Sequence, residues 1–351
     1  MPLQQEPDSL LNITRFQTSS VMEMVMWIQA LTYSWQSNDY KKEMTDILGQ
    51  PFVNELADYF RQFHMGCDFV EIAIEYPEKN NIRGFLDYIS SLKENEFIFY
   101  ILGRIFPKEE INTNFNLNDL EGLLDKYPQY RNYCSCSVGS EPVWMGSFPA
   151  IRDKLVSLLG IFWEKAFKQQ VERCEAVWAQ GIEEKEKYLR RYGATKLYKL
   201  ITGKDELPEQ LPEGVPHREL VYIPITRMAR HERTYFGWGN VSILFDATRT
   251  EKKILEIEEA KKSALLMIKA LNDEKRLKII KYIADEAFSI NGKMLAEKLS
   301  LSPSVISRHL AQLRDAGIIE EQSPDNRNIT YKVNKNRLND LSSFLLLYIN
   351  D

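Results

Sequence analysis

The sequence predicts a mainly α protein, in which a large helical N-terminal domain with a small β element is followed by a C-terminal winged helix-turn-helix domain. Apolar residues recur at helical spacing through most of the first half of the chain. In the last quarter, two short amphipathic segments joined by a tight turn are followed by two strand-like runs. We therefore divide the chain into residues 1–250, a helical linker at 251–262 and the winged helix-turn-helix at 263–351.

The segment 301–319 is predicted to form the longer helix of the motif and the start of the first strand. Ser302 is a suitable N-cap, and Pro303 fits the first helical position, where its missing N–H has no intrahelical acceptor. The face predicted to be buried carries Ile306, Leu310 and Leu313. The opposite face carries short or basic side chains. An ordinary amphipathic core helix is the alternative, and the flanking segments argue against it.

Those flanking segments complete the motif. A shorter helix is predicted within 290–301, with Leu295 and Leu299 facing inward, and only three residues, Ser300 to Ser302, separate it from the longer helix. Downstream, the runs 318–322 and 329–333 predict two strands joined by a turn-rich loop. This order of helix, turn, helix and hairpin is typical of a winged helix-turn-helix.

Four stretches of this region resemble one known family: 270–280, 307–310, 313–319 and 331–333. They are similar to transcription regulators of the arsenical-resistance-repressor (ArsR) type, over roughly the last quarter of the chain. The resemblance implies a homodimer that places each recognition helix in a major groove of double-stranded DNA. It also implies that a histidine at position 309 is structural.

The longer helix, within 301–319, would be the recognition helix. Contacts with DNA are expected from its exposed face and from residues of the shorter helix and the hairpin. The expected residues are Lys293, Ser302, Ser304, Ser307, Arg308, Gln312, Arg314, Arg327 and Asn328. The guanidinium of Arg308 should reach a guanine edge or a phosphate. Arg327, near the tip of the hairpin, should touch the neighbouring minor groove or its phosphates.

Two apolar stripes predict the dimer interface. The first, before the motif, consists of Leu265, Leu266 and Ile268, and the second, on the final helix, consists of Leu338, Leu341, Phe344, Leu345 and Tyr348. One small winged-helix domain has too little interior to bury both stripes. A two-fold dimer implies a palindromic operator. The alternative is that a stripe packs on the N-terminal domain of the same chain.

The charge distribution permits a nucleic-acid partner. The whole chain carries a net charge of −5, but residues 263–351 contain 13 Lys and Arg against 11 Asp and Glu, a net charge of +2 that leaves −7 for residues 1–262. Because the basic excess is small, nonspecific attraction to phosphates should be modest and sensitive to salt. The acidic remainder is expected to face away from DNA.

Metal and cofactor sites are not expected in the motif. Relatives that sense metals often carry Cys-x-Cys in the first helix of the motif, or His and carboxylates on the last helix. Here 291–299 contain no Cys, and 336–351 contain no His. Cys134 and Cys136 could supply four zinc ligands together with His64 and Cys67, although free cysteine is more commonly a small buried hydrophobe.

Enzyme signatures are missing from the sequence. It contains no Gly-rich phosphate loop, nucleophile elbow or paired-His metalloenzyme motif, so we do not expect an enzyme. Arg230 to Arg233, between predicted strands at 220–225 and 241–245, could bind an anionic ligand, although surface loops are usually polar without such a role. The abundant aromatic residues could line a ligand pocket, or they could simply form the core.

In the N-terminal domain, helices are predicted over 21–35, over 41–64 with a break near Gln50 and Pro51, over 82–106 and over 151–178. Residues 1–18 are expected to be frayed.

The sequence therefore predicts a cytoplasmic, homodimeric transcription regulator, a repressor by its resemblance, with a possible small-molecule effector in its N-terminal domain. It shows neither a secretion signal nor an apolar run long enough to span a membrane. The alternative is an N-terminal enzyme or protein-docking module tethered to DNA by a winged-helix tail.

Overall fold

The computed structural model describes residues 10–32, 38–63, 67–130, 147–210, 214–228, 232–285, 290–322 and 329–349. The chain divides into an N-terminal unit, Met1–Thr250, and a C-terminal unit, Glu251–Asp351. The predicted fold class is confirmed, because helices dominate and the strands are few and short. Within the described ranges, no helix combines the length and apolarity that crossing a bilayer requires.

The described helices of the N-terminal unit are, in order, α1 (Ser20–Thr32), α2 (Asn38–Leu48), α3 (Gln50–Gln62), α4 (Cys67–Glu75), α5 (Ile82–Ser91), α6 (Glu94–Ile101), α7 (Leu117–Lys126), α8 (Phe148–Phe162), α9 (Val171–Tyr192) and α10 (Ala194–Thr202). Its described strands are β1 (Thr14–Phe16), β2 (Glu219–Ile225), β3 (Glu232–Gly237) and β4 (Asn240–Asp246).

The described elements of the C-terminal unit are α11 (Glu251–Leu271), α12 (Glu274–Ala284), α13 (Gly292–Leu299), α14 (Pro303–Asp315), β5 (Ile319–Gln322), β6 (Thr330–Val333) and α15 (Lys335–Ile349). The segment predicted as a helical linker, 251–262, is thus the first part of α11, which continues without interruption into the motif.

The four N-terminal strands form one mixed sheet in the order β1-β2-β4-β3. β1, β2 and β4 are parallel, and β3 is antiparallel to β4. Two of these strands correct the expectations from sequence, since β1 lies in the segment expected to be frayed and β3 lies in the predicted loop between β2 and β4. Both are edge strands whose residues, apart from Gly237, are half-buried or exposed, so neither shows the apolar run that identifies β2 and β4.

Several helix boundaries also differ from those predicted. Residues 41–64 do divide near Pro51, at Gly49, whose φ of +83° suits glycine. Residues 82–106 form two helices instead of one, because Leu92 and Lys93 adopt extended backbone conformations. The helical path predicted over 151–178 continues from α8 through a π-helical segment, Trp163–Phe167, into α9.

The centre of the N-terminal unit is α1, in which every residue is buried. Its Glu23 accepts hydrogen bonds from Trp27 Nε1 at 2.7 Å and from Trp178 Nε1 on α9 at 2.8 Å. The backbone N–H of Thr226, just after β2, donates to the same carboxylate at 2.9 Å. Burial raises the pKa of Glu23, while these hydrogen bonds act in the opposite direction. One buried carboxyl group therefore joins α1, α9 and the end of β2.

A glycine allows α9 to lie close to the chain that leaves β4. A Cβ atom built on Gly181 would lie 2.9 Å from the carbonyl oxygen of Ala247 and 3.0 Å from its Cβ. The oxygen belongs to the backbone and the Cβ is fixed to it directly, so neither atom can rotate away. The contact therefore requires glycine at position 181.

We predict that Gly181→Ala lowers the free energy of unfolding of the N-terminal unit by about 1–3 kcal/mol through overpacking. Gly122→Ala, in α7, is the matched control, because a Cβ there meets nothing within 4 Å. That change should raise stability by about 1 kcal/mol through helix propensity. Denaturant unfolding followed by tryptophan fluorescence reports on this unit, because all 6 tryptophans precede residue 250. Equal effects of the two substitutions would contradict the close contact.

Candidate nucleic-acid interface

The two helices of the motif are fixed by side-chain caps and a tight turn. The Asn291 side chain accepts a hydrogen bond from the Met294 N–H at 3.0 Å at the start of α13. Ser300 ends that helix in the left-handed region, with φ of 52°. Ser302 then caps α14 by accepting from the Val305 N–H at 3.4 Å. The predicted N-cap and connection are both present.

The inner face of α14 forms the core of the C-terminal unit. Ile306, Leu310 and Leu313 are buried there, as the helical spacing predicts, and they belong to one apolar cluster with Leu295 of α13. Leu299 packs at its border and is half-buried. This burial fixes which residues of α14 remain available to a partner.

The outer face of α14 presents Ser304, Ser307 and Arg308, all of which are exposed. Within the described ranges, Arg308 has no hydrogen-bond or ion-pair partner. Ser302 is exposed as well, and its hydroxyl lies 3.0 Å from that of Ser304. Lys293, on α13, is also exposed. The predicted contact residues of the two helices thus have free access to solvent.

Two other predicted contact residues are already engaged inside the unit. Gln312 accepts a hydrogen bond from Arg276. Arg314 donates to Glu321 of β5 at 2.6 Å, and half of its side chain is exposed. An arginine paired with a carboxylate offers less charge to a phosphate or base, so Arg308 is the stronger candidate for contact.

The residue that donates a hydrogen bond to Gln312 was not predicted from the sequence. Arg276, on α12, is buried and donates from Nε to the Ala270 carbonyl at 2.5 Å and from Nη2 to the Lys269 carbonyl at 2.9 Å. It therefore links the end of α11 to α14. An arginine in the stretch 270–280 that resembles the family was the available signal, but helical periodicity does not reveal a partner on a distant helix.

The wing is the antiparallel pair β5 and β6, in which Ile319 faces Val333 and Gln322 faces Thr330. The Tyr331 N–H donates to the Ile290 carbonyl at 3.3 Å, which joins the hairpin to the segment preceding α13. Arg327 and Asn328, predicted at the tip, lie outside the described residues.

Comparison with known families assigns this region. The model of the family described as "Bacterial regulatory protein, arsR family" matches residues 273–321. The matched segment begins at Asp273, the N-cap of α12, and ends in β5. This segment is an arsR-family helix-turn-helix. The resemblance stated from the sequence is thereby confirmed over residues 273–321.

One protein, HlyU of Vibrio cholerae, is similar to part of this chain both in sequence and among solved structures. The transcriptional activator HlyU of Vibrio cholerae serotype O1 is 36% identical over 64 residues, which are 18% of this chain and 57% of that protein. A solved structure of reduced HlyU from Vibrio cholerae covers 27% of this chain and 95% of its own, with 26% identity and a TM-score of 0.21. The chain thus spans little more than half the length of the HlyU sequence that it matches.

The predicted dimer stripes differ in exposure. Leu265, Leu266 and Ile268 of α11 are between 42% and 49% exposed, while Ala264, Met267 and Ala270 form the buried face of that helix. On α15, in contrast, Leu338, Leu341 and Phe344 are half-buried and pack against the core of their own unit. Leu345 is half-buried, and the side chain of Tyr348 is not among those described. The first stripe therefore offers the more accessible apolar surface.

The residues considered as metal ligands are only partly described. His64, Cys134 and Cys136 lie outside the described residues, as does the side chain of Cys67. Among the side chains that the structure describes, no three His, Cys, Asp or Glu are grouped so as to hold a metal ion.

His309 of the recognition helix is buried, and its Nδ1 has no hydrogen-bond partner among the described residues. Burial lowers the pKa of His309 below its ordinary value of 6.5, and the nearby Arg276 and Arg308 act in the same direction against the opposing carboxylate of Asp273. The folded state therefore favours the neutral ring. Because the folded pKa is lower than that of an unfolded histidine, the neutral ring of His309 contributes to the free energy of unfolding above pH 6.5. That contribution is lost as the pH falls below 6.5.

We predict that the C-terminal unit loses stability between pH 7.5 and pH 5.5, roughly the range in which an unfolded histidine gains its proton. His309→Leu, which cannot titrate, should lose less over the same range. Amide hydrogen exchange of α14 in both proteins, compared at each pH, measures the difference. Parallel pH dependences in the two proteins would show that His309 is not responsible.

Proposed function

We propose that this protein is a transcription regulator that binds double-stranded DNA through α14. The observation that carries the proposal is the exposed face of that helix, on which Ser304, Ser307 and the unpaired Arg308 lie side by side within an arsR-family helix-turn-helix. Short side chains allow the helix backbone to approach the base edges, and a guanidinium can donate two hydrogen bonds to guanine. Both features suit entry into a major groove.

Electrostatics support a sequence-specific mode of binding. The net charge of +2 over residues 263–351 supplies little nonspecific attraction. Specific contacts of individual side chains must therefore provide a large part of the affinity. We expect Arg308 to be prominent among them because its charge is not neutralised by a neighbour.

We predict that Arg308→Ala weakens binding to a cognate duplex by roughly 5- to 150-fold, the equivalent of about 1–3 kcal/mol for a lost base contact. Arg314→Ala, on the same helix, is the matched control. It should have the smaller effect, because Arg314 must leave Glu321 before it can contact DNA. Fluorescence anisotropy at one fixed salt concentration gives both affinities.

The opposite ranking, with Arg314→Ala more harmful than Arg308→Ala, would contradict this orientation of α14. Thermal unfolding of both variants should match that of the wild type, because both side chains are exposed.

We further propose that the protein acts as a homodimer joined through α11. Leu265, Leu266 and Ile268 supply adjacent exposed apolar side chains, which soluble proteins commonly use for association. A two-fold dimer would read a palindromic operator whose half-sites lie about one helical turn apart. An operator that overlaps a promoter would exclude polymerase. Repression is therefore the direction of regulation that we propose, although the HlyU relative is named an activator.

We predict that the full-length protein sediments as a dimer at micromolar concentration and that Leu266→Glu makes it monomeric. Leu277→Glu, on α12, is the control, because Leu277 is equally exposed but lies outside the stripe. It should leave the dimer intact. A monomeric wild type, or dissociation by both substitutions alike, would remove the basis for this interface.

For the N-terminal unit we propose binding rather than catalysis. The alternative from the sequence is an enzyme or protein-docking module tethered to DNA. Cys174 is a buried free cysteine of this unit, and burial raises its pKa to about 11. It therefore remains a thiol at neutral pH and is a poor nucleophile. Cys174 is therefore not the nucleophile that an enzymatic N-terminal unit would use.

A further inference from the structure

The carboxyl ends of β1, β2 and β4 lie at one edge of the N-terminal sheet, because these three strands are parallel. The chain continues from them into α1, into Thr226 and into Thr248 respectively. Ligands of open α/β sheets commonly bind outside the carboxyl ends of the strands. A ligand-binding site of this sheet would therefore lie at this edge.

A cavity of about 120 Å³ lies at this edge. Its lining consists of Trp27, Glu43, Arg173, Cys174, Val177, Thr226, Arg227 and Thr248. Three of these residues, Thr226, Arg227 and Thr248, lie within two residues of the end of β2 or β4, and the others come from α1, α2 and α9. Residues distant in sequence thus converge on one small space.

Arg227 lines this cavity and has no ion-pair partner among the described residues. Its guanidinium carbon lies 4.0 Å from the ring centroid of Tyr40 and 4.9 Å from that of Trp27. Its Nε is buried and has no hydrogen-bond partner among the described residues. The aromatic rings stabilise the positive charge, but they do not satisfy the N–H donors. An anion in the cavity would pair with the guanidinium that lines it.

The surroundings fix Arg227 before any ligand arrives. The Tyr40 hydroxyl donates to the Trp27 carbonyl at 2.7 Å, and the Trp27 indole donates to Glu23. Thr226, the residue before Arg227, donates to the same carboxylate from its backbone N–H and its hydroxyl. Glu23 is thereby occupied by donors other than Arg227. A prearranged donor of this kind lowers the entropic cost of binding.

Charge and size restrict the ligand. The lining contains two arginines, Arg173 and Arg227, and one carboxylate, Glu43, which gives a net charge of +1. The Cys174 thiol adds none because burial raises its pKa to about 11. A single negative charge matches this balance better than a doubly charged phosphate does. The volume of about 120 Å³ suits a small ligand.

We propose that this cavity binds a small organic monocarboxylate, with its carboxylate on Arg227 and its short apolar body against Val177 and Cys174. Nothing in the site depends on the proposed regulatory function. Its use as an effector site does rest on the proposed regulatory function. The short connection along the chain from the cavity to α11 supports that use. Thr248 lines the cavity, and only Arg249 and Thr250 separate it from the start of α11.

The test is isothermal titration of the full-length protein with acetate, propionate, isobutyrate and pyruvate. At least one should bind saturably, while its neutral amide and inorganic phosphate should bind at least roughly tenfold more weakly. Arg227→Gln should weaken binding by roughly 10- to 100-fold, and Arg227→Lys, which keeps the charge but loses the planar donor, should be intermediate. Arg190→Gln, an exposed position on α9 away from the cavity, should bind like the wild type.

Failure of all four carboxylates to bind, equal binding of the amide, or unchanged binding by Arg227→Gln and Arg227→Lys would each overturn the site. Tighter binding of phosphate would overturn the assignment to a monocarboxylate. A separate titration measures affinity for a cognate duplex with and without the carboxylate that binds. A change in that affinity supports the effector role. An unchanged affinity refutes the effector role alone and leaves both the site and DNA binding standing.

Discussion

The buried guanidinium of Arg276 holds three helices of the C-terminal unit in fixed relation. It belongs to α12, donates to two carbonyls at the end of α11 and donates to Gln312 of α14. A planar group with several donors imposes direction as well as distance on its partners. The outer face of α14 can read base edges only if its orientation is constant. The position of Arg308 therefore depends on Arg276, which we do not expect to contact DNA. Gln312, predicted as a DNA contact, accepts a hydrogen bond from Arg276 and so helps to hold α14 in place.

The N-terminal unit has a comparable centre in the buried carboxyl group of Glu23. Glu23 accepts from two indoles and from Thr226, so a single carboxyl group sets the distance between α1, α9 and the end of β2. Desolvation makes such a group costly, and the donors compensate for that cost. The same arrangement brings Arg227 against its aromatic neighbours. Stability of the unit and the shape of the cavity thus have a common origin, which would make a binding site there sensitive to substitution of Glu23.

The sequence predicted those features that depend on neighbours along the chain. The cap at Ser302, the buried face of α14 and the order of the motif all follow from local spacing and helix-end chemistry. Contacts between distant segments were not predictable in this way. β1 forms only because β2 offers it a parallel edge more than two hundred residues later, and Gln312 looks like a free polar residue until Arg276 is seen beside it. Half-burial of Phe344 likewise depends on packing that periodicity does not show.

The most direct test of the central claim is selection of bound duplexes from a pool of random DNA by the full-length protein. We expect enrichment of one two-fold symmetric sequence, with half-sites about one helical turn apart or a multiple of it. The enriched duplex should also outcompete scrambled DNA of the same composition at physiological salt. Recovery of sequences no more alike than those of the starting pool would contradict sequence-specific binding by α14.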